Sequence, residues 1–184
     1  MSSPEDSEQT TRPEMSADMA VQLIQLFEQH GIEVVIDGGW GVDALLGRQT
    51  RKHNDLDIAL QHRDVPYLRT LLEERGFKDI PRDDTRACNF VLGNDSGHEV
   101  DIHSYTYDAQ GQLIFGVAYP PASLTGRGSI QGHPVKCITP EWAIKFHAGY
   151  ELDDDDYHDV SALCEHFGIA LPSEYKKFIP TDDQ

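Results

Sequence analysis

The chain of 184 residues is poor in cysteine, in positive charge and in long apolar runs. Its three cysteines, Cys88, Cys137 and Cys164, are far apart and odd in number, which argues against a disulfide framework or a paired-cysteine metal site. No apolar run approaches the roughly 20 residues needed to cross a membrane. The first residues, MSSPEDSEQTTRPEM, are polar and acidic, unlike a secretory signal, so we expect a cytoplasmic protein with no membrane partner.

Positive charge is especially scarce, because 15 Lys and Arg stand against 32 Asp and Glu and give a net charge of −17. Such a surface repels DNA and RNA, whose binding depends on neutralising phosphates. We therefore expect no nucleic-acid partner. A small neutral or cationic substrate fits better, since an acidic cleft would attract a cation. The alternative is that the acidity serves only solubility.

The order of the predicted elements indicates an α+β protein with a mixed sheet and a helical C-terminal part. Residues 1–14 lack periodicity and are predicted to be a disordered tail. One domain is expected over 15–184, with a catalytic core at about 15–138 and helices at about 139–180. Strands are predicted at 32–36, 56–60, 87–92 and 98–105, with a further hairpin at 129–138. Helices are predicted after Ser16 up to Gly31, and at 40–46, 65–75, 140–147, 156–167 and 172–178.

Two acidic residues in one predicted strand are the main functional signal. Asp55 and Asp57 stand at i and i+2 in the otherwise apolar segment DLDIAL, so both side chains point to the same face. Carboxylates held that close repel each other unless a cation lies between them. This pattern predicts a Mg²⁺ site, because carboxylate oxygens are the ligands that this hard ion prefers. The alternative is a solvated strand end.

A third acid, Asp101, recurs in the later strand segment HEVDIHSY. It could complete a two-metal site and take the proton from an attacking hydroxyl, or it could be a surface acid on an edge strand. Glu99 and His103 share its strand face. Glu99 is expected to be solvated, and His103 either touches substrate or metal or has a structural role.

A glycine pair and a basic loop precede the two acids. Gly38 and Gly39 would let a phosphate approach the backbone at the start of a helix, although a glycine pair also occurs in plain tight turns. Arg48 and Arg51 in the following loop could hold the β- and γ-phosphates of a nucleotide, or could be solvated. His53 either points into the site or caps the loop.

Three segments together resemble the DNA polymerase β-like nucleotidyltransferase superfamily: GGWGVDALLG at 38–47, TRKHNDLDIAL at 50–60 and VDIHSY at 100–105. The motifs GGWxxD and TRxHxDxD are similar to those of the small antibiotic nucleotidyltransferases of aminoglycoside and lincosamide type. The segment CITPEWAIKFHAGYELDDDDYHDVSAL also resembles the short lincosamide type. The likeness runs from about Met19 to Leu163.

The resemblance implies a mixed, mostly antiparallel sheet of about five strands flanked by helices, with two Mg²⁺ ions and ATP as co-substrate. It implies transfer of a nucleoside monophosphate to a hydroxyl of a small antibiotic. By position, Asp55 and Asp57 match the metal ligands of the family, and Asp101 matches the third carboxylate, which is a general base in some members. Gly39 matches the phosphate-binding turn, and Arg51 matches the basic residue before the acids.

The last predicted helix departs from the family pattern. Several relatives carry a lysine near Val160, where this chain has Ser161, and the nearest replacement is Lys145. The acidic run Asp153 to Asp156 could attract a polycationic aminoglycoside. Acids are also favoured at a helix N-terminus, which is the interpretation we prefer.

Two other functions stay open. The missing lysine would also suit a nucleotide-binding module that has lost catalysis, although three unused acids would destabilise such a fold. Nothing in the sequence excludes nucleotidylation of a protein side chain. A homodimer is possible, but no feature of the sequence demands it.

Overall fold

A computed structural model of the protein describes residues 12–148 and 150–180. In this part of the chain the strands are β1 Val35–Asp37, β2 Asp55–Gln61, β3 Lys78–Ile80, β4 Asn89–Gly93, β5 Glu99–Tyr107, β6 Leu113–Gly116, β7 Gly126–Ile130 and β8 His133–Cys137. The α-helices are α1 Ala17–Gln29, α2 Gly38–Leu46, α3 Val65–Glu73, α4 Pro140–Phe146 and α5 Asp154–Phe167. Short 3₁₀ turns lie at His62–Asp64, Pro121–Thr125 and Ser173–Phe178.

The described strands join one mixed sheet in the order β3-β4-β5-β2-β1-β8-β7, and β6 pairs with the far end of β5. The β2–β5 and β1–β8 pairings are parallel, and the other five are antiparallel. The expected mixed, mostly antiparallel sheet with flanking helices and a helical C-terminal part is therefore confirmed. The expected number of about five strands is too low, since the described sheet has eight.

The strands that the sequence did not predict are short and lie where the sheet is exposed. β3 has three residues and β6 has four, so neither offers enough alternating positions to be recognised. In β6 the side chain of Ile114 is 64% exposed, and its apolar neighbours are exposed too. The two predicted hairpins do form, as β4–β5 and β7–β8, with bounds shifted by a few residues.

Alternation along β2 divides the hydrophobic core between the two faces of the sheet. Leu56 and Ile58 pack in the cluster that α1 and α3 cover. Ala59 packs in the cluster on the opposite face, which α4 and α5 cover. Asp55 and Asp57 share the face of Ala59 because they are four and two residues from it, respectively. The C-terminal helices therefore cover the apolar half of the face that carries the acids.

The helix ends follow from capping residues. The Ser16 hydroxyl accepts a hydrogen bond from the Met19 N–H (3.2 Å) and begins α1, as predicted. At α5, Asp153 and Asp156 form a capping box, each side chain accepting from the other residue's backbone N–H at 2.9 Å. The preferred interpretation of the acidic run as a helix N-terminus is confirmed, although α5 begins at Asp154, two residues earlier than predicted.

The predicted disordered tail lies outside the described residues as far as residue 11. From Arg12 onwards the chain contacts the fold, three residues before the predicted start of the domain. Arg12 forms an ion pair with Glu99, and the Met15 N–H donates to the carbonyl oxygen of His53 (2.8 Å). In the described part of the chain, none of the helices combines the length and the apolar character that crossing a membrane requires.

Candidate active site

The face shared by β2 and β5 brings three carboxylates to one point. The two strands are parallel, and their register sets Asp57 opposite Asp101 and Asp55 opposite Glu99. One carboxylate oxygen from each of Asp55, Asp57 and Asp101 lies within 4.8 Å of the other two. The structure therefore brings together the three acids that the sequence predicts as metal ligands.

Burial and the charges of neighbouring acids raise the pKa of all three carboxyls. For Asp57 burial raises the pKa most, followed by the charges of Asp55, Asp101 and Asp37. Burial is also the largest cause for Asp55 and for Asp101. Among the described residues no Lys or Arg forms an ion pair with these acids, and His103 Nε2 lies 3.5 Å from Asp101 Oδ1. Three crowded oxygen ligands that lack a paired cation fit a hard divalent ion such as Mg²⁺.

A fourth acid, Asp37, lies beside the cluster and was missed from the sequence. It ends β1 directly opposite Asp57, and it is the N-cap of α2, where its Oδ1 accepts from the Gly38 N–H (2.8 Å). Its Oδ2 accepts from the Tyr119 hydroxyl (2.7 Å), and burial together with this carboxylate raises the pKa of Tyr119. An acid directly before a helix is a common N-cap, and this was the signal that could have identified it.

Both glycines of the predicted turn are needed for close packing at the start of α2. Gly38 has a φ of +59°, and a Cβ added there would lie 2.1 Å from Asp57 Oδ2. A Cβ on Gly39 would lie 2.5 Å from His53 Nδ1 and 2.6 Å from Arg51 Nη2. The pair forms the first residues of α2 rather than a turn before it, so the predicted helix start at Trp40 is two residues late. The N–H groups of this first helical turn have no intrahelical acceptor, and that of Gly38 donates to Asp37 Oδ1.

We expect Gly38→Ala to abolish the activity of this site while destabilising the fold by about 1–2 kcal/mol through backbone strain alone. The added methyl group must displace the Asp57 carboxylate, which is a proposed metal ligand. Gly31→Ala is the matched control, because Gly31 has a φ of +71° but no atom lies within 4 Å of the position that its Cβ would take. Urea unfolding and activity measurements on both variants would check this. Equal activity of the two variants would contradict it.

Arg51 is held by the C-terminal helix. Its Nε donates to Asp159 Oδ1 (2.9 Å) and its Nη2 to Asp159 Oδ2 (2.8 Å), a bidentate pair. These hydrogen bonds raise the pKa of Arg51, and the more distant charge of Asp155 adds to them. Arg51 therefore lies at the acidic site, against Gly39, as the sequence predicts. Arg48 is exposed and does not line the cavity at the acids, so the structure does not bring it to the site.

A buried polar network connects the basic loop to α2 and α5. Asp43, 1% exposed, lies 2.6 Å from His53 Nε2 and accepts from the Thr50 hydroxyl (2.6 Å) and the Thr50 N–H (3.0 Å). His158 of α5 approaches the same hydroxyl to 2.9 Å. His53 also contacts the ring of Trp40, which is 2% exposed and belongs to the core. His53 thus both anchors the loop and lines the cavity.

We expect Asp43→Asn to destabilise the protein by roughly 2 kcal/mol at neutral pH. Although burial tends to raise the pKa of Asp43, its hydrogen bonds with His53 and Thr50 outweigh burial and lower it. A carboxyl with a lowered pKa contributes stability above its unfolded pKa and loses it as pH falls through the folded one. The difference from wild type in unfolding free energy should therefore shrink between about pH 5 and about pH 2. Urea titrations across this range would test it, with the exposed Asp95→Asn as control; a constant difference would refute it.

Three further residues considered from the sequence, Glu99, Lys145 and Ser161, do not line the cavity at the acids. Glu99 was expected to be solvated, but its side chain is only 15% exposed and pairs with Arg12 and Arg82. The Lys145 ammonium lies 4.3 Å from the centre of the Trp142 ring and does not line the acidic cavity. The Ser161 hydroxyl donates to the carbonyl oxygen of His158 (3.1 Å).

A cavity of about 280 Å³ opens between the acids, the start of α2 and α5. Six carboxylates and two arginines line it, together with glycine, asparagine and two histidines. The lining residues are Arg12, Gly39, Arg51, His53, Asn54, Asp55, Asp57, His147, Asp153, Asp155, Asp156 and Asp159. The start of α2 and Arg51 are groups suited to phosphate, and the acids of the same cavity are suited to a cation.

The sheet, its flanking helices and the acidic site define a protein with the nucleotidyltransferase fold. The lincosamide antibiotic adenylyltransferase LnuA, in a lincomycin-bound crystal structure, superposes with a TM-score of 0.72 at 24% identity, covering 86% of this chain and 100% of that chain. ANT(2'')-Ia, in complex with adenylyl-2''-tobramycin, gives a TM-score of 0.68 at 20% identity, covering 83% and 89%.

The chain belongs to the aminoglycoside-2''-adenylyltransferase family, whose model matches residues 19–163. It is 28% identical over 148 residues to a lincosamide resistance protein of Staphylococcus haemolyticus, covering 77% of this chain and 89% of that protein. It is 34% identical over 134 residues to a 2''-aminoglycoside nucleotidyltransferase of Klebsiella pneumoniae, covering 72% of each. The resemblance inferred from the motifs is confirmed, and the chain is a nucleotidyltransferase.

Proposed function

We propose that this enzyme transfers a nucleoside monophosphate from ATP to a hydroxyl of a small antibiotic of lincosamide or aminoglycoside type, and that it depends on Mg²⁺. The observation that supports this most is the convergence of Asp55, Asp57 and Asp101 beside the start of α2. Membership of the family supplies the reaction class, and the relatives named above act on these two classes of drug.

The three carboxylates are the residues that would hold Mg²⁺, and we propose two ions as the resemblance implies. Their donor set is suitable, because all three are hard oxygen ligands in one partly buried place, and no Lys or Arg among the described residues forms an ion pair with them. Bound Mg²⁺ would neutralise charge on the transferring phosphoryl group and on the leaving pyrophosphate.

The protein's own groups position the nucleotide and remove a proton. The backbone N–H groups of the first turn of α2 and the guanidinium of Arg51 hold the triphosphate. The acceptor oxygen forms a bond to the α-phosphorus while the bond from that phosphorus to the bridging oxygen breaks, and pyrophosphate leaves with the bonding electrons. Asp101 accepts the hydroxyl proton, since it is the acid of the three that lies on β5 beside His103. Most of the rate enhancement then comes from orientation and electrostatics.

The direct test is a mass measurement. Purified protein, MgATP and either lincomycin or kanamycin are incubated, and we expect the drug to gain the mass of one nucleoside monophosphate with release of pyrophosphate. EDTA should stop the reaction, and excess Mg²⁺ should restore it. Replacing ATP by GTP, CTP or UTP would establish the nucleotide preference.

Two outcomes would replace this proposal. Tight ATP binding in calorimetry that needs no Mg²⁺ and leads to no turnover would indicate a nucleotide-binding module. Labelling of proteins in a lysate by α-labelled ATP, without drug modification, would indicate a protein acceptor. Cytoplasmic residence and a homodimer stay predictions, for which fractionation and light scattering are the measurements.

A further inference from the structure

A short segment before α1, residues 12–15, connects the fold to the edge of the acidic cavity, and we call it the N-terminal strap. Two hydrogen bonds hold its end, because the Met15 N–H donates to the carbonyl oxygen of His53 (2.8 Å) and the Trp40 indole N–H donates to the carbonyl oxygen of Met15 (3.1 Å). The Met15 side chain is fully buried in the core. These contacts place Arg12 at the cavity and do not depend on the side chain of Arg12 itself.

Arg12 lines the same cavity as Gly39 and Arg51. Its charge acts on the carboxylate cluster: burial raises the pKa of Asp55, and the positive charge of Arg12 opposes this more strongly than that of Arg51 does. Among the described residues, Arg12 and Arg51 are the two Lys or Arg side chains in this lining. A nucleotide bound beside the start of α2 would therefore meet two guanidinium groups.

The two arginines differ in how much positive charge they leave for a ligand. Arg51 has a carboxylate of its own, because the buried Asp159 binds it through both oxygens. Arg12 shares its partner, since Glu99 pairs with Arg12 and also accepts from Arg82 through both oxygens, at 2.8 and 2.9 Å. Two guanidinium groups around one carboxylate leave one positive charge in that group of three uncompensated.

The Arg12 side chain is free to turn toward a ligand. It is 48% exposed, compared with 23% for Arg51. When Arg12 leaves Glu99, that carboxylate keeps its two hydrogen bonds from Arg82, so no buried charge is left without a partner. We propose that Arg12 binds the triphosphate of the nucleotide as a second phosphate-binding residue beside Arg51, an inference that rests on the function proposed above.

The proposed contact predicts which ligands depend on Arg12. A guanidinium group binds phosphate oxygens through pairs of parallel hydrogen bonds, and neither a base nor a ribose offers such an anion. Arg12 should therefore distinguish a nucleoside triphosphate from its nucleoside, and should act equally on nucleotides with different bases. Inorganic pyrophosphate with Mg²⁺ should depend on Arg12 in the same way.

Arg12→Met tests the contact by calorimetry on the drug-free protein, with MgATP and with magnesium pyrophosphate as the ligands. We expect the Kd for each ligand to rise by about tenfold or more, because a charged hydrogen-bonded pair with phosphate is lost. Arg12→Lys keeps the charge and should recover part of the affinity. In the transfer assay, the KM for MgATP should rise with the Kd, and the KM for the drug should not change.

Changes at the partners of Arg12 separate a contact with phosphate from a merely structural ion pair. Arg82→Met is the matched control, because Arg82 pairs with the same Glu99 but does not line this cavity. It should change the Kd for MgATP by no more than about threefold. Glu99→Gln releases Arg12 and should leave this Kd unchanged or lower it. A structural role for the pair predicts the opposite, namely that Glu99→Gln weakens MgATP binding as much as Arg12→Met does.

The outcomes distinguish this inference from the proposed function. Unchanged affinity for MgATP in Arg12→Met, or an equal loss in Arg12→Met and Glu99→Gln, would overturn the role of Arg12 while the proposed function stands. A wild type that binds MgATP but modifies no hydroxylated antibiotic would overturn the proposed function, and a loss of MgATP affinity in Arg12→Met would still support this inference. A wild type that binds no MgATP would overturn both. Because Met15 holds the strap, Arg12→Met should unfold at the wild-type temperature; if it does not, Arg12→Lys and Glu99→Gln decide.

Discussion

Asp57→Asn is expected to lower the rate of nucleotidyl transfer by roughly a thousandfold or more, because it removes a carboxylate from the centre of the cluster. Asp57 lies between Asp55 on its own strand, Asp101 on β5 and Asp37 on β1, so no neighbour can move into its place without leaving its own. Steady-state rates with MgATP and the drug would measure the loss.

The same substitution should stabilise the metal-free protein. Burial and three neighbouring charges disfavour the ionised Asp57, and a neutral amide removes that repulsion. We expect a gain of about 1 kcal/mol in unfolding free energy in EDTA, and little or no gain when Mg²⁺ is present. Asp95→Asn, an exposed acid in a hairpin turn, is the control and should change neither rate nor stability. Retained transfer in Asp57→Asn would disprove the proposed metal site.

Arg51→Met is expected to cost roughly 3 kcal/mol of stability or more, because it leaves Asp159 buried without its partner. Asp159 is 1% exposed, and the other basic side chain that approaches it among the described residues is His147, whose Nε2 lies 3.9 Å from Asp159 Oδ2. The reverse change, Asp159→Asn, should cost less, about 1 kcal/mol, since the Arg51 side chain is 23% exposed and can turn toward water.

The decisive measurement is which of the two variants loses more unfolding free energy. Urea unfolding in a buffer without nucleotide gives both values. Arg48→Met, three residues earlier in the same loop, is the control and should be nearly neutral because Arg48 is exposed. A larger loss of unfolding free energy in Asp159→Asn than in Arg51→Met would contradict the expectation that an unpaired Asp159 costs more stability than an unpaired Arg51. Both Arg51→Met and Asp159→Asn should also raise the KM for MgATP, since each disturbs the guanidinium beside Gly39.

Local patterns predicted the site better than they predicted its surroundings. The two-residue period of a strand is enough to place Asp55 and Asp57 on one face, and a similar segment on β5 pointed to Asp101. What the sequence could not give is the parallel register that sets Asp57 opposite Asp101, because that depends on where distant strands pair. β3 and β6 were missed for a related reason, since pairing partners rather than their own composition make them strands.

The partner of Arg51 could not be predicted from local sequence either. Asp159 is 108 residues away, and only the packing of α5 against the sheet brings the two together. A signal was nevertheless present, because Asp159 stands beside Val160 and four residues before Leu163, on the stripe of α5 that is buried. An acid on such a stripe usually has a basic partner.

Because α4 and α5 cover one face of the sheet, we expect the chain not to divide into an independent core and a separate C-terminal part. A fragment ending at Cys137 would uncover Val35, Ala59 and Tyr105 and would deprive Arg51 of its anchor. The predicted core and the C-terminal helices are thus not interchangeable modules. Grafting the C-terminal quarter of a relative onto this chain would alter nucleotide binding even if the grafted part never contacted the drug.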